Sequence, residues 1–222
     1  MRIVFDLDGT LIDSVPQIHA ITNAVLAENG VGPLPMEQVK SFVGNGLPAL
    51  LGQVCEVTAL DPTPARIEAM RARFEDLYAS DFNGLTVYPD VMDVLSQLRA
   101  AGHALGLCTN KPNGPTLATL RHLGLDSLFD CVIGGDSLPV RKPDPAPLHA
   151  ALDALGSTGR MAYVGDSEVD ADCAAAAGVD FLFFTEGYLR REKQSLKIRA
   201  EFSRFGDLPA LIAALAAGDE SR

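Results

Sequence analysis

Hydrophobic and polar positions divide the chain into two regimes. From Val87 onward, short apolar runs alternate with segments whose apolar residues recur every three or four positions. That alternation predicts strands and helices in turn, and so a parallel sheet built from βαβ units. Strands are predicted at Ala104–Cys108, Cys131–Gly134, Met161–Gly165 and Phe181–Phe184. Helices are predicted over Val91–Ala101, Thr116–Leu123, Pro145–Leu155, Ala171–Ala177 and Leu208–Ala217, with Gly102, Gly124 and Gly178 stopping three of them. Arg190–Arg204 is polar and poorly patterned. Ahead of Val87 the period is almost entirely helical. Ile18, Ile21, Val25 and Leu26 share one helix face that ends near Asn29-Gly30. Further helices are predicted over Met36–Val43, Pro48–Val57 and Thr63–Ser80, the last with Thr63 as cap and Pro64 as its first residue.

One strand stands apart from this division. Ile3-Val4-Phe5 is apolar and stops at Asp6-Leu7-Asp8-Gly9-Thr10-Leu11. The expected architecture is therefore α/β, a doubly wound parallel sheet from residues 1–14 and 85–222, interrupted by an all-helical block at 15–84. Ser14-Val15-Pro16 and Asn83-Gly84-Leu85 are its expected hinges.

The acids at the end of the first strand change the picture from fold to chemistry. Asp6, Thr109 and Asp166 each follow an apolar strand directly, and Lys142 follows a fourth at short distance. In a parallel sheet the carboxyl ends of all strands lie on one edge, so these residues converge. Carboxylates, a hydroxyl, an ammonium and turn amides together suit Mg²⁺ and a phosphoryl group. Asp6 is expected to be ionised at neutral pH and to need no base to act as a nucleophile. Asp166 offers a second hard oxygen, and the amides after Thr109, at Asn110 and Lys111, suit phosphate oxygens. Asp170, one helical turn beyond Asp166, is either a further metal ligand or an acid favoured by a helix start. Gly44-Asn45-Gly46 reads either as a plain turn or as a phosphate cradle. Arg190, Arg191 and Lys193 read as a solvated face, and the four histidines lie off these positions.

Composition narrows the partners. The 222 residues carry a net charge of −11, which argues against nucleic acid and anionic membranes. An anionic substrate then needs local positive charge. No apolar run suits a membrane span and Asp6 interrupts any leader-like stretch, so neither a membrane segment nor a signal peptide is expected. Cys55, Cys108, Cys131 and Cys173 have no ligand-like spacing, and reduced thiols in a cytoplasmic protein are expected, as monomer or homodimer.

Asp6-Leu7-Asp8-Gly9-Thr10-Leu11 resembles the first motif of the haloacid dehalogenase superfamily. Leu107–Pro112, Arg141–Pro145 and Gly165–Asp170 resemble its second, third and fourth motifs in order. The resemblance implies a Rossmann-like core, the helical block as a small cap domain, and Mg²⁺ as cofactor. It also implies an aspartyl-phosphate on Asp6, with Asp8 as general acid and base. Thr109 and Lys142 complete the catalytic set, and Asp6, Asp166, Asp170 and the Asp8 carbonyl the metal set. Val43–Pro48, Gly135–Pro139 and Thr185–Tyr188 further resemble phosphoglycolate phosphatases. This adds Asn45 and Gly46 to Thr109, Asn110, Lys111 and Lys142 as substrate-binding candidates, with a small phosphorylated metabolite, 2-phosphoglycolate first, as substrate. After Tyr188 the chain departs from that subgroup with Leu189-Arg190-Arg191-Glu192-Lys193. Three other chemistries use related residues. A receiver module lacks a cap and carries its nucleophile after a later strand. A dehalogenase lacks an acid at the position of Asp8. A phosphomutase of the β-phosphoglucomutase kind shares every catalytic residue, and a phosphatase of broad range shares them too.

Overall fold

In the computed structural model, which describes residues 1–156 and 158–218, β1 (Arg2–Phe5) lies inside a six-stranded sheet. The other strands are β4 (Ala104–Cys108), β5 (Cys131–Ile133), β6 (Met161–Gly165), β7 (Asp180–Phe184) and β8 (Ala200–Phe202), and all pairs are parallel in the order β5-β4-β1-β6-β7-β8. Strand order runs outward on one side through β4 and β5, then restarts on the other through β6, β7 and β8. The reversal places β4, β1 and β6 side by side, and ligands of open α/β folds bind outside the carboxyl ends of strands at such a reversal.

The strands are apolar because both faces are covered. Side chains of β1 alternate. Ile3 and Phe5 pack with α5 (Val91–Ala100) and α9 (Leu208–Ala217). Val4 packs on the other face with Cys108, Tyr163, α7 (Ala146–Ala154) and α8 (Glu168–Ala177). Each fully buried Leu, Ile or Phe stabilises the sheet by roughly 1.5–3 kcal/mol.

The inserted block holds α1 (Val15–Glu28), α2 (Met36–Lys40), α3 (Leu47–Thr58) and α4 (Pro64–Ser80). Thr63 accepts a hydrogen bond from Arg66 N (3.4 Å) and Pro64 supplies a first helical residue whose missing N–H costs nothing there. These helices bury a hydrophobic cluster separate from the two on the sheet faces, with Tyr188 added to it from outside the block. Among the described residues no helix is long and apolar enough to cross a membrane.

Several boundaries differ from the sequence expectation. Two strands of two residues, β2 (Ile12–Asp13) and β3 (Thr86–Val87), pair antiparallel where the chain enters and leaves the helical block. Such short strands leave no alternation to read. Their pairing brings the two crossings together, so that a Cβ on Gly84 would meet Pro16 Cβ at 2.9 Å. β8 lies in the segment that carries no pattern, because on this edge strand only Phe202 is buried. α2 ends at Lys40 rather than Val43, and Phe42 and Val43 turn inward as buried loop residues. α6 (Asn113–Leu123) and α8 begin three residues earlier than expected. In α8 the cause is Ser167 and Asp170, which cap each other's backbone at the first turn.

Candidate active site

Asp6 follows β1, Thr109 follows β4 and Asp166 follows β6, so the three sit on neighbouring strand ends at the reversal. Lys142 enters from the long connection after β5 and is 3% exposed. Its Nζ donates to Asp6 Oδ1 (2.8 Å), Asp170 Oδ1 (2.7 Å) and Tyr163 Oη (2.8 Å). Three donors meet three acceptors, and the ammonium has no valence to spare.

The turn after Asp6 is built around its acids. Gly9 has φ +89°, and a Cβ there would strike Asp166 Oδ2 and the Tyr188 ring. Only glycine fits at that approach. Asp166 Oδ1 accepts from Thr10 Oγ1 (2.6 Å) and Oδ2 from Tyr188 N (2.6 Å). Each oxygen keeps capacity for a further partner. Asp170 does not: Oδ1 takes Lys142 and the Tyr163 hydroxyl, and Oδ2 takes Ser167 N (3.1 Å), Ser167 Oγ (2.6 Å) and Asp166 N (3.3 Å). These bonds make Asp170 a helix-start acid that also anchors Lys142. Asp6, Asp166 and Asp170 nevertheless each bring an oxygen within 4.8 Å of the others, and hard carboxylate oxygens suit Mg²⁺. Asp8 is outside this group and faces Lys111 Nζ at 3.4 Å.

Three buried acids lie together and the ammonium bonds two of them, Asp6 and Asp170, which separates their ionisation. Burial pushes Asp6 up to about 7, against the pull of Lys142 and with Asp170 adding to the rise. Burial thus works against the ionised carboxylate expected of Asp6, and Lys142 works for it. Burial, then Asp170 and Asp6, also holds Asp166 well above the carboxylate range. Burial acts on Asp170 in the same sense, but Lys142, Ser167 and Tyr163 outweigh it and keep it low. Lys142 is raised, because Asp170 and Asp6 overcome the effect of burial.

These shifts have a consequence for stability without metal. Between the ordinary carboxylate range and about 7, native Asp6 holds a proton that the unfolded chain has released, and Asp166 is shifted in the same direction. Protons bound preferentially by the native state make stability fall as pH rises. Asp170 acts in the opposite sense only at lower pH, where a depressed acid is protonated. In EDTA the melting temperature is expected to be lower near about pH 7.5 than near about pH 5.5, with Mg²⁺ raising it more at the higher pH. Equal gains at both values would contradict this.

The cavity at these residues holds about 50 Å³ and is lined from the helical block by Ile18, Phe42, Leu47, Leu50, Phe74 and Tyr78. Thr109 and Lys111 line its floor. Gly44 and Gly46 line it as well, but Asn45 between them does not. Gly46 has φ +83°, and a Cβ there would meet Arg141 Nη1 at 2.9 Å and Asn110 O at 3.3 Å. The glycines let the loop sit directly on the sheet edge. Asn110 also lines the cavity, yet its amide nitrogen donates to Gly44 O (3.0 Å) and Lys142 O (3.0 Å). Its side chain ties two loops together.

Other residues at the site were not among the sequence candidates. Tyr163 orients Lys142, and its signal is a tyrosine in an otherwise aliphatic or small-residue strand. Tyr188 joins Asp166 to the entry into the helical block, donating through its hydroxyl to Asp13 Oδ1 (2.7 Å) and accepting from Ser14 N (2.8 Å). Arg190 is exposed, as expected of a solvated face, and there pairs with Glu168 (2.7 Å) and donates to Ser41 O (2.9 Å) just after α2. No sequence period marks a residue whose partners come from two distant segments. The four histidines lie away from the cavity.

A parallel sheet with two acids on its central strand end, a lysine bridging to a third, and a helical cover defines a class. The family model described as haloacid dehalogenase-like hydrolase matches residues 3–184, and the chain belongs to that family. Within it the chain is phosphoglycolate phosphatase-like, an enzyme of the phosphoric monoester hydrolase type. A phosphoglycolate phosphatase of Cereibacter sphaeroides is 46% identical over 216 residues, 97% of this chain and 99% of the relative. One from Rhodobacter capsulatus is 42% identical, covering 95% of each. A crystal structure of a predicted phosphoglycolate phosphatase from Haemophilus somnus superposes with a TM-score of 0.88 at 30% identity, over 95% of this chain and 97% of that one.

Proposed function

We propose that the chain hydrolyses a small phosphate monoester, with 2-phosphoglycolate as the leading substrate, through an aspartyl-phosphate on Asp6. The observation that carries this is the Asp6 carboxylate, bonded by Lys142 at 2.8 Å in the lining of the cavity and grouped with Asp166.

Mg²⁺ would be held by Asp6 and Asp166, with the Asp8 carbonyl, and supplies positive charge against the phosphoryl oxygens when bound. Asp6 attacks phosphorus as the ester P–O bond breaks, and the departing alkoxide takes a proton from Asp8. Asp8 then removes a proton from water, which attacks phosphorus and releases phosphate and Asp6. Lys142 neutralises charge on Asp6 and the phosphoryl group through both steps. The Thr109 hydroxyl and the amides of Asn110 and Lys111 hold phosphoryl oxygens. Residues 15–84 act as a cap that excludes water from the ester, with the loop at Gly46 closest to the substrate. Asp170 anchors Lys142 rather than binding metal directly. Reduced thiols and the metabolite substrate fit a cytoplasmic enzyme.

The test is phosphate release from a panel of metabolite phosphates in Mg²⁺ and in EDTA. Metal-dependent release led by 2-phosphoglycolate is expected. Release that persists in EDTA would overturn the mechanism. Transfer of phosphate between positions of a sugar phosphate would replace hydrolysis by mutase chemistry.

A further inference from the structure

Among the described residues that line the cavity, only Lys142 and Lys111 carry positive charge. Lys142 is fully bonded to Asp6, Asp170 and Tyr163. Lys111 is not. Its side chain is fully buried, yet its ammonium has one oxygen partner, Asp8 Oδ1, at 3.4 Å. The Tyr78 ring lies 3.5 Å from Nζ and covers a second direction. An ammonium has three donors, and burying one with so few acceptors is costly unless a ligand supplies the rest. Lys111 rises from the sheet edge, whereas Tyr78 belongs to α4 of the helical block. The ammonium is thus held between the two halves of the cavity, above the floor and below an otherwise apolar roof. A phosphoryl group on Asp6 and Lys142 would leave the rest of the substrate facing Lys111.

We propose that Lys111, held against the Tyr78 face, is the specificity residue that selects phosphate esters whose alcohol carries a carboxylate. The substrate class is the phosphorylated small hydroxy acids. The proposal rests on the phosphatase reading above for where the phosphoryl group sits. The carboxylate supplies the ammonium with the acceptors it lacks, and the apolar roof offers nothing comparable to a neutral alcohol. Tyr78 positions Lys111 and limits the length of the acid. A site built to pair a buried charge rejects the analogue that leaves that charge unpaired.

The experiment compares 2-phosphoglycolate with ethyl phosphate, which has the same carbon count and no carboxylate. In the wild type, kcat/KM is expected to favour 2-phosphoglycolate by about 100-fold or more. In Lys111→Met, and in Lys111→Gln as a second variant of similar length, that preference is expected to shrink to about tenfold or less. The same ratio is read without turnover as Kd for the two esters by calorimetry in an Asp6→Asn background, with and without Lys111→Met. Should no ester be hydrolysed, the phosphatase reading fails, while the binding ratio still decides the role of Lys111. A preference that survives the Lys111 substitutions overturns the proposal. Equal losses on both esters overturn it too, and make Lys111 a partner of Asp8 alone.

Discussion

Asp6→Asn is expected to abolish Mg²⁺-dependent phosphate release while leaving the fold intact and, without metal, more stable. The substitution removes the nucleophile of the proposed reaction and keeps its shape. Loss of a nucleophile costs about 10⁵-fold or more in kcat, because no neighbouring group can form the covalent intermediate in its place. The stability side follows from the charge count. Asp6, Asp166 and Asp170 each bring an oxygen within 4.8 Å of the others, and Lys142 is bonded to Asp6 and Asp170 alone. Burial pushes Asp6 up to about 7, so near neutral pH its carboxylate is held at a cost. An amide carries no such cost, and its oxygen can still accept from Lys142. The melting temperature in EDTA near about pH 7.5 is therefore expected to rise in Asp6→Asn, and the gain on adding Mg²⁺ to shrink. Activity that survives in the variant would place the nucleophile elsewhere. A large fall in metal-free stability would mean that the acids are balanced by their surroundings as they stand.

The sequence and the structure agree where one residue's neighbours in the chain decide its place. Asp6, Thr109 and Asp166 were legible as site candidates because an apolar run ends at each, and a parallel sheet delivers strand ends to one edge. The helical block was legible from its 3.6-residue period. What could not be read depends on pairs distant in sequence. β2 and β3 exist only because residues 12–13 and 86–87 meet, and two residues carry no alternation. Tyr188 and Arg190 acquire meaning from Asp13, Asp166, Glu168 and Ser41, none of which stands beside them in the chain. Asp170 is the instructive intermediate. Its spacing from Asp166 suggested either ligand or helix-start acid, and the bonds to Lys142, Tyr163 and Ser167 come from contacts the spacing does not show. Ionisation was the other blind spot, since the charge on Asp6 is set by burial and neighbours rather than by residue type.

Lys142→Met is expected to produce the largest loss of stability of any single change at the site. The methionine fills much the same volume, so the cost is electrostatic rather than a cavity. Without the ammonium, Asp6 and Asp170 face each other with no bonded cation, and Tyr163 loses the donor it accepts from. Removing one partner of a buried ion pair costs about 3–5 kcal/mol, because the remaining charge stays buried and unpaired. The acids can escape that cost by taking up protons, which supplies a signature that lost packing would not produce. The deficit against wild type should be large near about pH 8 and much smaller near about pH 5. Urea midpoints at the two values measure it, and a deficit of equal size at both would mean that Lys142 stabilises by packing. Adding Asp170→Asn to Lys142→Met should recover part of the loss, since the second substitution removes one of the stranded charges. Catalysis should not recover with it. Phosphate release is expected to fall by about 10³-fold or more in both variants, as neither neutralises charge on the phosphoryl group. Lys142→Arg tests the difference between charge and fit: the guanidinium restores a cation, but three acceptors arranged around one nitrogen suit an ammonium and not a planar fork. Stability is expected to return further than activity, and an active Arg variant would show that charge alone is what the site requires.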